Sequence, residues 1–229
     1  MIHNYDSEDK ALLAVDCIIF GFDQEELKIL LVKRDFEPEK GMWSLMGGFL
    51  KRSENLDEAA ERILLHLTGI NNVYLEQLHS YSKIDRDPVE RTVSVAYFAL
   101  INIEEHNKEL IKQYSAQWFN ISNAPGLIFD HEMMVKKAIS RLRYRTSTVP
   151  IGFELLPQKF TMRQLQKMYE AILGEKLDKR NFINKINSLD ILRKLDEKDM
   201  ESSKKGSFLY TFDEQKYKRK AADGFSFKL

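Results

Sequence analysis

The chain changes character at residues 146–150, and this break constrains its fold more than any other feature of the sequence. The stretch reads Thr-Ser-Thr-Val-Pro, a composition typical of a domain boundary. Residues 1–140 carry 15 basic and 23 acidic side chains, whereas residues 141–229 carry 20 basic and 12 acidic ones. The formal charge of zero therefore conceals segments with net charges of −8 and +8. We predict two domains, residues 1–147 and 148–229, of which the second suits a polyanionic partner.

Composition excludes several other classes of protein. With 43% hydrophobic residues the chain can bury a core, which a disordered protein cannot. Its one cysteine, Cys17, lies in an apolar run, so we expect a buried thiol, no intrachain disulfide and a reducing compartment. The first residues are acidic rather than apolar, and Asp16 interrupts the longest apolar run. We therefore expect a cytoplasmic protein with no signal peptide and no membrane partner.

The first segment has the pattern of a sheet with two helices. Five stretches have the β-branched and aromatic composition of strands: residues 15–22, 28–34, 75–82, 92–103 and 118–121. Apolar residues at helical spacing predict a helix over residues 54–68, with Ser53 as its N-cap and Gly69 after its end. A second helix is predicted over residues 131–144, with Asp130 as its N-cap.

The residues around the first helix resemble the signature of the Nudix hydrolases. The positions that match the signature without a gap are Gly48, Glu54, Arg62, Leu64, Gly69 and Ile70. The resemblance covers residues 10–145 and implies an α/β/α sandwich around a mixed sheet. We accordingly expect an α+β chain, with this Nudix-like sandwich as its first domain.

The chain departs from the signature at the residues that bind metal. Three glutamates of the family would fall at Ile63, His66 and Leu67. Apolar side chains cannot ligate Mg²⁺, and imidazole prefers softer metals. We therefore predict no metal, no cofactor and no hydrolase activity, with Glu54 and Arg62 kept as a structural ion pair.

An enzymatic alternative stays open from the sequence. A diverged Nudix phosphohydrolase could act on ADP-ribose-like nucleotides and hold its metal through Glu54, His66 and either Glu58 or Glu61.

The second segment has the outline of a winged helix-turn-helix. Thr161 and Gln164 have the spacing of a capping box and open a helix that ends at Gly174. Asp178 can cap a second helix, and residues 191–195 and 207–212 read as a two-stranded hairpin. Helix, short turn, helix and hairpin together predict a DNA-binding domain.

Basic and amide side chains supply the predicted DNA contacts. Cations hold phosphates, and amides can read adenine edges in the major groove. The candidates are Arg163, Gln164, Lys179, Arg180, Asn181, Asn184, Lys185, Lys204 and Lys205. Two alternatives remain, namely a merely solvated helix face and a protein-binding module that never contacts DNA.

The whole chain resembles the Nudix-related transcriptional regulators of bacteria. The resemblance in the second domain lies in Phe160-Thr161 and in the run from Asp178 to Phe182. It implies a homodimeric repressor on a palindromic operator, released when a small effector binds the first domain. Within this group the chain most resembles the arabinose-responsive regulators of Bacteroidetes, which implies control of sugar utilisation genes. A regulator that senses an ADP-ribose-like nucleotide is the alternative.

The net acidity of the first segment and its missing metal ligands also favour a neutral sugar over a nucleotide diphosphate, in keeping with the L-arabinose effector that the resemblance implies. Aromatic rings stack on sugars, and carboxylate and guanidinium groups hydrogen-bond their hydroxyls. The predicted ligand contacts are Asp35, Phe36, Trp43, Gly47, Gly48, Phe49, Asp85, Arg86, Asp87 and Arg91.

Overall fold

A mixed β-sheet forms the middle layer of the first domain. The computed structural model describes residues 7–69, 73–103, 114–200, 205–225 and 227. Its first sheet contains β1 (Leu12–Phe22), β2 (Leu27–Lys33), β3 (Trp43–Ser44), β4 (Met46–Phe49), β5 (Tyr74–Tyr81), β6 (Thr92–Asn102) and β7 (Ala116–Asn120). The order is β3-β2-β1-β6-β5, with β4 also paired to β1 and β7 to β2. Strands β1 and β6 are parallel, and the other pairs are antiparallel.

Strand β1 lies at the centre and sends alternate side chains into two hydrophobic cores. Ile18 and Phe20 belong to one core, and Cys17 and Ile19 belong to the other. Such burial on both faces requires a nearly continuous apolar strand. The prediction that Cys17 is a core residue is confirmed, and burial raises the pKa of its thiol, so that it stays protonated.

Helix α1 (Leu56–Thr68) covers one face of the sheet and ends at Gly69 in the left-handed conformation, as predicted. It begins two residues later than expected, because Asn55 rather than Ser53 is the N-cap. The Asn55 side chain accepts a hydrogen bond from the Glu58 amide at 3.0 Å, and the Glu58 carboxylate accepts one from the Asn55 amide at 2.8 Å. This reciprocal pair fixes the start of the helix.

Helix α2 (His131–Thr148) covers the other face and completes the α/β/α sandwich. It runs four residues beyond the predicted end at Tyr144. The hydroxyls of Ser147 and Thr148 donate to the Tyr144 carbonyl, which satisfies an acceptor at the end of the helix. Pro150 follows shortly afterwards, and a proline cannot continue the helical hydrogen bonding.

The second domain has the predicted winged helix fold. Its elements are β8 (Phe160–Thr161), α3 (Met162–Leu173), α4 (Lys179–Leu189), β9 (Leu192–Asp199), β10 (Ser207–Phe212) and α5 (Glu214–Ala222). The capping box of Thr161 and Gln164, the stop at Gly174 and the Asp178 cap are all confirmed. Strand β8, which pairs with β10, and helix α5 were not predicted.

The two domains share a continuous apolar core and several polar contacts. The Arg143 Nε of α2 donates to the Ile172 carbonyl near the end of α3 at 2.9 Å. Lys167 of α3 forms an ion pair with Glu25, in the turn between β1 and β2. The first domain thus holds α3, the helix that precedes the predicted recognition helix α4. Within the described ranges, no helix has the length and apolar character that a bilayer crossing demands.

Candidate ligand site and nucleic-acid interface

A cavity of about 390 Å³ opens in the first domain beside β1, β4 and the start of α2. Seven of the ten predicted ligand contacts line it, namely Asp35, Phe36, Gly47, Gly48, Phe49, Arg86 and Asp87. The structure therefore brings the two glycines of β4, the end of β2 and the loop before β6 to one place. Which of these residues contact a ligand stays a prediction.

The other three predicted contacts lie outside the cavity lining. Trp43 packs edge-on against Phe119, with ring centroids 4.8 Å apart. Asp85 pairs with the exposed Lys83. Arg91 donates to main-chain carbonyls of its own loop. Their aromatic and charged side chains suggested ligand contacts, but in the structure each of them makes a local structural contact.

A buried charge cluster forms the floor of the cavity and was not predicted as a unit. Arg86, whose side chain is 3% exposed, donates from Nε and Nη2 to the two carboxylate oxygens of Asp130, at 3.0 and 2.8 Å. Its Nη2 also lies 3.6 Å from Asp16. Asp130 is the N-cap residue of α2, as predicted, but its side chain makes no capping bond and is held by Arg86 instead. Bidentate pairing orients the guanidinium firmly.

Asp16 extends this cluster into the cavity. Its Oδ2 accepts a hydrogen bond from the buried Ser94 hydroxyl at 2.5 Å, and its Oδ1 lies against the main chain of Gly47. A carboxylate that interrupts the apolar run of residues 12–22 was the sequence signal for this position, because such a group needs partners when buried.

His131, the first residue of α2, is another buried polar group that lines the cavity. Its Nδ1 accepts a hydrogen bond from the Leu45 amide at 3.1 Å, and its Nε2 lies 3.8 Å from Asp16 Oδ1. Burial lowers the pKa of the imidazole, so the ring is neutral near pH 7. Because Nδ1 is the acceptor, the proton resides on Nε2.

Two cations also line the cavity, Lys33 and Arg34 at the end of β2. The Arg34 Nε donates to the main-chain carbonyls of Phe36 and Pro38, and its guanidinium lies 3.8 Å from the centre of the Phe36 ring. Phe36 and Phe49 are 58% and 54% exposed, although both line the cavity. Cations and exposed rings together can receive phosphate and a planar base.

Glu54 and Arg62 form the predicted ion pair. Arg62 Nε and Nη2 donate to the two Glu54 carboxylate oxygens at 2.7 and 2.6 Å. These bonds lower the pKa of Glu54 to about 2 from its ordinary value of 4.5. The pair joins the loop after β4 to α1, beside the cavity.

The depressed pKa of Glu54 predicts a pH-dependent contribution to stability. A carboxyl group with a lowered folded-state pKa stabilises the fold above its unfolded pKa, and this contribution is lost as the pH falls. For Glu54 this stabilising contribution should be lost as the pH falls from 4.5 to about 2. Urea unfolding across this range should show the stability of Glu54→Gln approaching that of the wild type. A constant difference between the two proteins would contradict the assignment.

The side chains near α1 do not fit a divalent metal. Ile63 lines the cavity and is buried, while His66 packs on the Tyr114 ring at 4.6 Å between centroids. In the described part of the chain, no three His, Cys, Asp or Glu side chains are grouped so as to hold a metal ion. An aliphatic group at the position of a family ligand offers no oxygen donor.

The two glycines of β4, Gly47 and Gly48, differ in the space around them, which gives a matched pair of variants. A Cβ at Gly47 would lie 2.3 Å from Asp16 Oδ1 and 3.0 Å from the Val15 carbonyl oxygen, whereas at Gly48 it would make only ordinary contacts with Ile63. Gly47→Ala should therefore displace Asp16 and cost about 1–3 kcal/mol of unfolding free energy. Gly48→Ala should remain close to the wild type. Equal effects in urea unfolding would show that Asp16 does not pack on Gly47.

The predicted DNA contacts fall mainly on one exposed surface. Lys179, Arg180, Asn181, Asn184 and Lys185 are exposed along α4, and Arg163 and Lys205 are exposed as well. Gln164 instead accepts from the Thr161 amide in the capping box, and its side-chain amide approaches Gln24. Lys204 lies outside the described residues. The placement agrees with a recognition helix, while the individual contacts stay predictions.

Sequence inspection missed a basic and aromatic group on the hairpin. Lys194 Nζ lies 3.6 Å and Lys198 Nζ 4.8 Å from the centre of the Phe208 ring. The three residues share one face of the β9–β10 hairpin because cross-strand neighbours lie side by side. The available signal was the even spacing of Lys194 and Lys198, because alternate residues of a strand lie on the same face.

A sandwich domain with an open cavity over buried charged side chains, joined to a winged helix with an exposed basic helix, defines the class of two-domain DNA-binding regulators. The family profile described as NUDIX domain matches residues 10–141, and the profile described as NrtR DNA-binding winged helix domain matches residues 152–212. The chain belongs to the NrtR family of Nudix-domain regulators.

Three relatives show the range of this family and its neighbours. The chain is 36% identical, over 90% of its length and 84% of the relative's, to the ADPR responsive transcriptional repressor NtrR of Acinetobacter baylyi. It is 37% identical, over 54% of its length and 70% of the relative's, to an ADP-ribose pyrophosphatase of Methanocaldococcus jannaschii.

The third relative, NrtR of Shewanella oneidensis, has been solved in two complexes. Its complex with a 27mer DNA superposes with a TM-score of 0.79 at 28% identity, over 87% of this chain and 93% of that one. Its NUDIX domain with ADP ribose gives a TM-score of 0.55 at 29% identity, over 61% and 94%. None of these relatives supports the expectation of L-arabinose. The ADPR responsive repressor and the NUDIX domain solved with ADP ribose favour the nucleotide alternative instead.

Proposed function

We propose that this protein is a transcriptional repressor whose DNA binding is relieved by an ADP-ribose-like nucleotide in the first domain. The observation that carries the proposal is the cavity, which is lined by two cations and two exposed aromatic rings together with the buried Asp16. Lys33 and Arg34 can hold a diphosphate, and Phe36 or Phe49 can stack on a base. The likeness to a domain solved with ADP ribose supports the same ligand class.

The DNA-binding half of the proposal rests on α4. Its exposed residues supply cations and amides on one face, and its other face is buried through Phe182, Ile186 and Leu189. A winged helix of this kind places one helix in the major groove. We propose a homodimer on a palindromic operator, because two symmetric half-sites match two copies of such a helix.

We propose that the nucleotide is an effector and is not hydrolysed. The metal-binding glutamates of the Nudix signature are replaced here, and Ile63 lines the cavity at one of their positions. Incubation of ADP-ribose with the protein and Mg²⁺ or Mn²⁺ tests this directly. Release of AMP would instead establish a phosphohydrolase, in keeping with the pyrophosphatase relative.

Two measurements test the proposed function. Thermal unfolding is followed with ADP-ribose, AMP and L-arabinose at saturating concentrations, since a ligand that binds the folded state raises the midpoint. ADP-ribose should give the largest shift, and a shift with L-arabinose alone would contradict the effector assignment. Binding to DNA from upstream of the protein's own gene is followed by fluorescence anisotropy over a salt series. Affinity should fall steeply with salt, and the absence of binding at low salt would contradict the DNA-binding role.

A further inference from the structure

The cavity floor contains an acceptor and a donor that the fold itself does not pair. Asp16 Oδ2 is bonded by Ser94, and Arg86 is bound to Asp130. Asp16 Oδ1, by contrast, receives no hydrogen bond from any of the described residues, although its side chain is only 10% exposed. His131 Nε2 lies 3.8 Å from it, too far for a direct bond. Asp16 lines the cavity, so this oxygen can accept a hydrogen bond from a ligand there.

The spacing of these two atoms selects the kind of group that fits between them. A hydroxyl oxygen about 2.8 Å from each atom can donate to Asp16 Oδ1 and accept from His131 Nε2. A phosphate oxygen only accepts, and the Asp16 charge would repel it. Asp16 and His131 line the same cavity as Lys33 and Arg34, so one ligand can offer a hydroxyl to the first pair and an anionic group to the cations.

We propose that Asp16 and His131 form a hydroxyl-binding subsite that holds the terminal sugar of the effector nucleotide, the sugar remote from its base. The diphosphate then lies toward Lys33 and Arg34. This subsite rests on the proposed function, because it assigns one part of the ADP-ribose-like ligand to the cavity floor.

The subsite also places the ligand against the helix that reaches the DNA-binding domain. His131 is the first residue of α2, and the Leu45 amide fixes its ring. On the same helix, Arg143 donates to the Ile172 carbonyl of α3. A sugar bonded to His131 therefore acts on an element whose far end contacts the winged helix.

The test compares ADP-ribose with ADP, which lacks the terminal sugar, by isothermal titration calorimetry. In Asp16→Asn, the Ser94 hydroxyl keeps the amide oxygen toward itself, so the NH₂ group replaces Oδ1 and cannot accept the sugar proton. Losing a hydrogen bond to a charged acceptor should lower the affinity for ADP-ribose about tenfold to a hundredfold. The affinity for ADP should remain close to that of the wild type.

A second variant keeps the proposal testable if Asp16→Asn folds poorly. His131→Asn retains an acceptor near the Leu45 amide but lacks the Nε2 donor, so it too should weaken ADP-ribose selectively. Glu76→Gln is the matched control, because Glu76 is also largely buried and binds Arg145 of α2 at 2.9 Å, away from the cavity. It should lower the thermal midpoint and leave the affinity for ADP-ribose unchanged.

The outcomes separate the subsite from the proposed function. A wild-type protein that does not bind ADP-ribose contradicts the proposed function itself. If the wild type binds ADP-ribose but Asp16→Asn lowers the affinities for ADP and ADP-ribose equally, the adenosine end of the ligand contacts Asp16. The subsite assignment is then overturned. Unchanged ADP-ribose affinity in both variants overturns it as well.

Discussion

Replacement of Arg180 by alanine is expected to weaken binding to operator DNA by about tenfold to a hundredfold, the loss typical of one specific contact. Arg180 is exposed in the first turn of α4, and Asp178 caps this helix so that its start is fixed. A guanidinium at this place can bond a guanine edge in two places or hold a phosphate. Fluorescence anisotropy with the wild-type operator measures the effect.

The salt dependence of the Arg180→Ala variant distinguishes the two kinds of contact. Loss of a phosphate contact lowers the slope of log affinity against log salt by about one, whereas loss of a base contact leaves the slope and relaxes sequence preference. Lys137→Ala, which removes the same charge from an exposed site on α2, is the matched control and should bind as the wild type does. Equal affinities of Arg180→Ala and Lys137→Ala would exclude α4 as the recognition helix.

Replacement of Arg86 by leucine is expected to destabilise the protein by about 3–5 kcal/mol, the usual effect of removing one partner of a buried ion pair. Arg86 contacts both Asp130 and Asp16, and its side chain is 3% exposed. Without it, two buried carboxylates lie close together with no cation between them, and the start of α2 loses its anchor. Urea unfolding with a common slope for both proteins gives the change in free energy.

Arg141→Ala is the control for the Arg86 variant. Arg141 also lies between α2 and the sheet, but it is 41% exposed and its contact with Glu76 is 3.5 Å long. Such a half-exposed pair contributes about 0–1 kcal/mol. A loss in Arg86→Leu no larger than that in Arg141→Ala would show that the cavity floor does not depend on this cation.

Local sequence signals predicted the elements whose ends are fixed by neighbouring residues. Gly69, the Thr161–Gln164 capping box and Asp178 are such cases, because each bond joins residues a few positions apart. The start of α1 was misplaced by two residues, since Ser53 and Asn55 are both suitable caps and the partner Glu58 decides between them. Strand β8 was missed because its pairing with β10 depends on residues far along the chain.

The cavity floor could not be predicted in this way. Asp16, Ser94 and His131 are brought together only when β1, β6 and α2 are assembled. Asp130 beside His131 resembled a simple helix cap, and only the position of Arg86 shows its other role. A polar residue inside an apolar strand was the one local sign of the site.

The expectation of a neutral sugar was based on the net charge of the whole first segment, which does not describe the charge inside the cavity. The net charge of −8 over residues 1–140 is spread over the whole first domain, whereas a ligand meets only the side chains that line the cavity. There, Lys33 and Arg34 line the same cavity as Asp16, so anionic and hydroxyl groups can both be accommodated.

Coupling between the cavity and α4 is best measured as a thermodynamic cycle. The affinity for operator DNA is determined with and without saturating ADP-ribose, and the affinity for ADP-ribose with and without the operator. If the nucleotide releases the repressor, both affinities should fall by the same factor, about 5–150-fold for a typical coupled pair of sites. An unchanged DNA affinity in protein that calorimetry shows to be saturated with ADP-ribose would contradict the account.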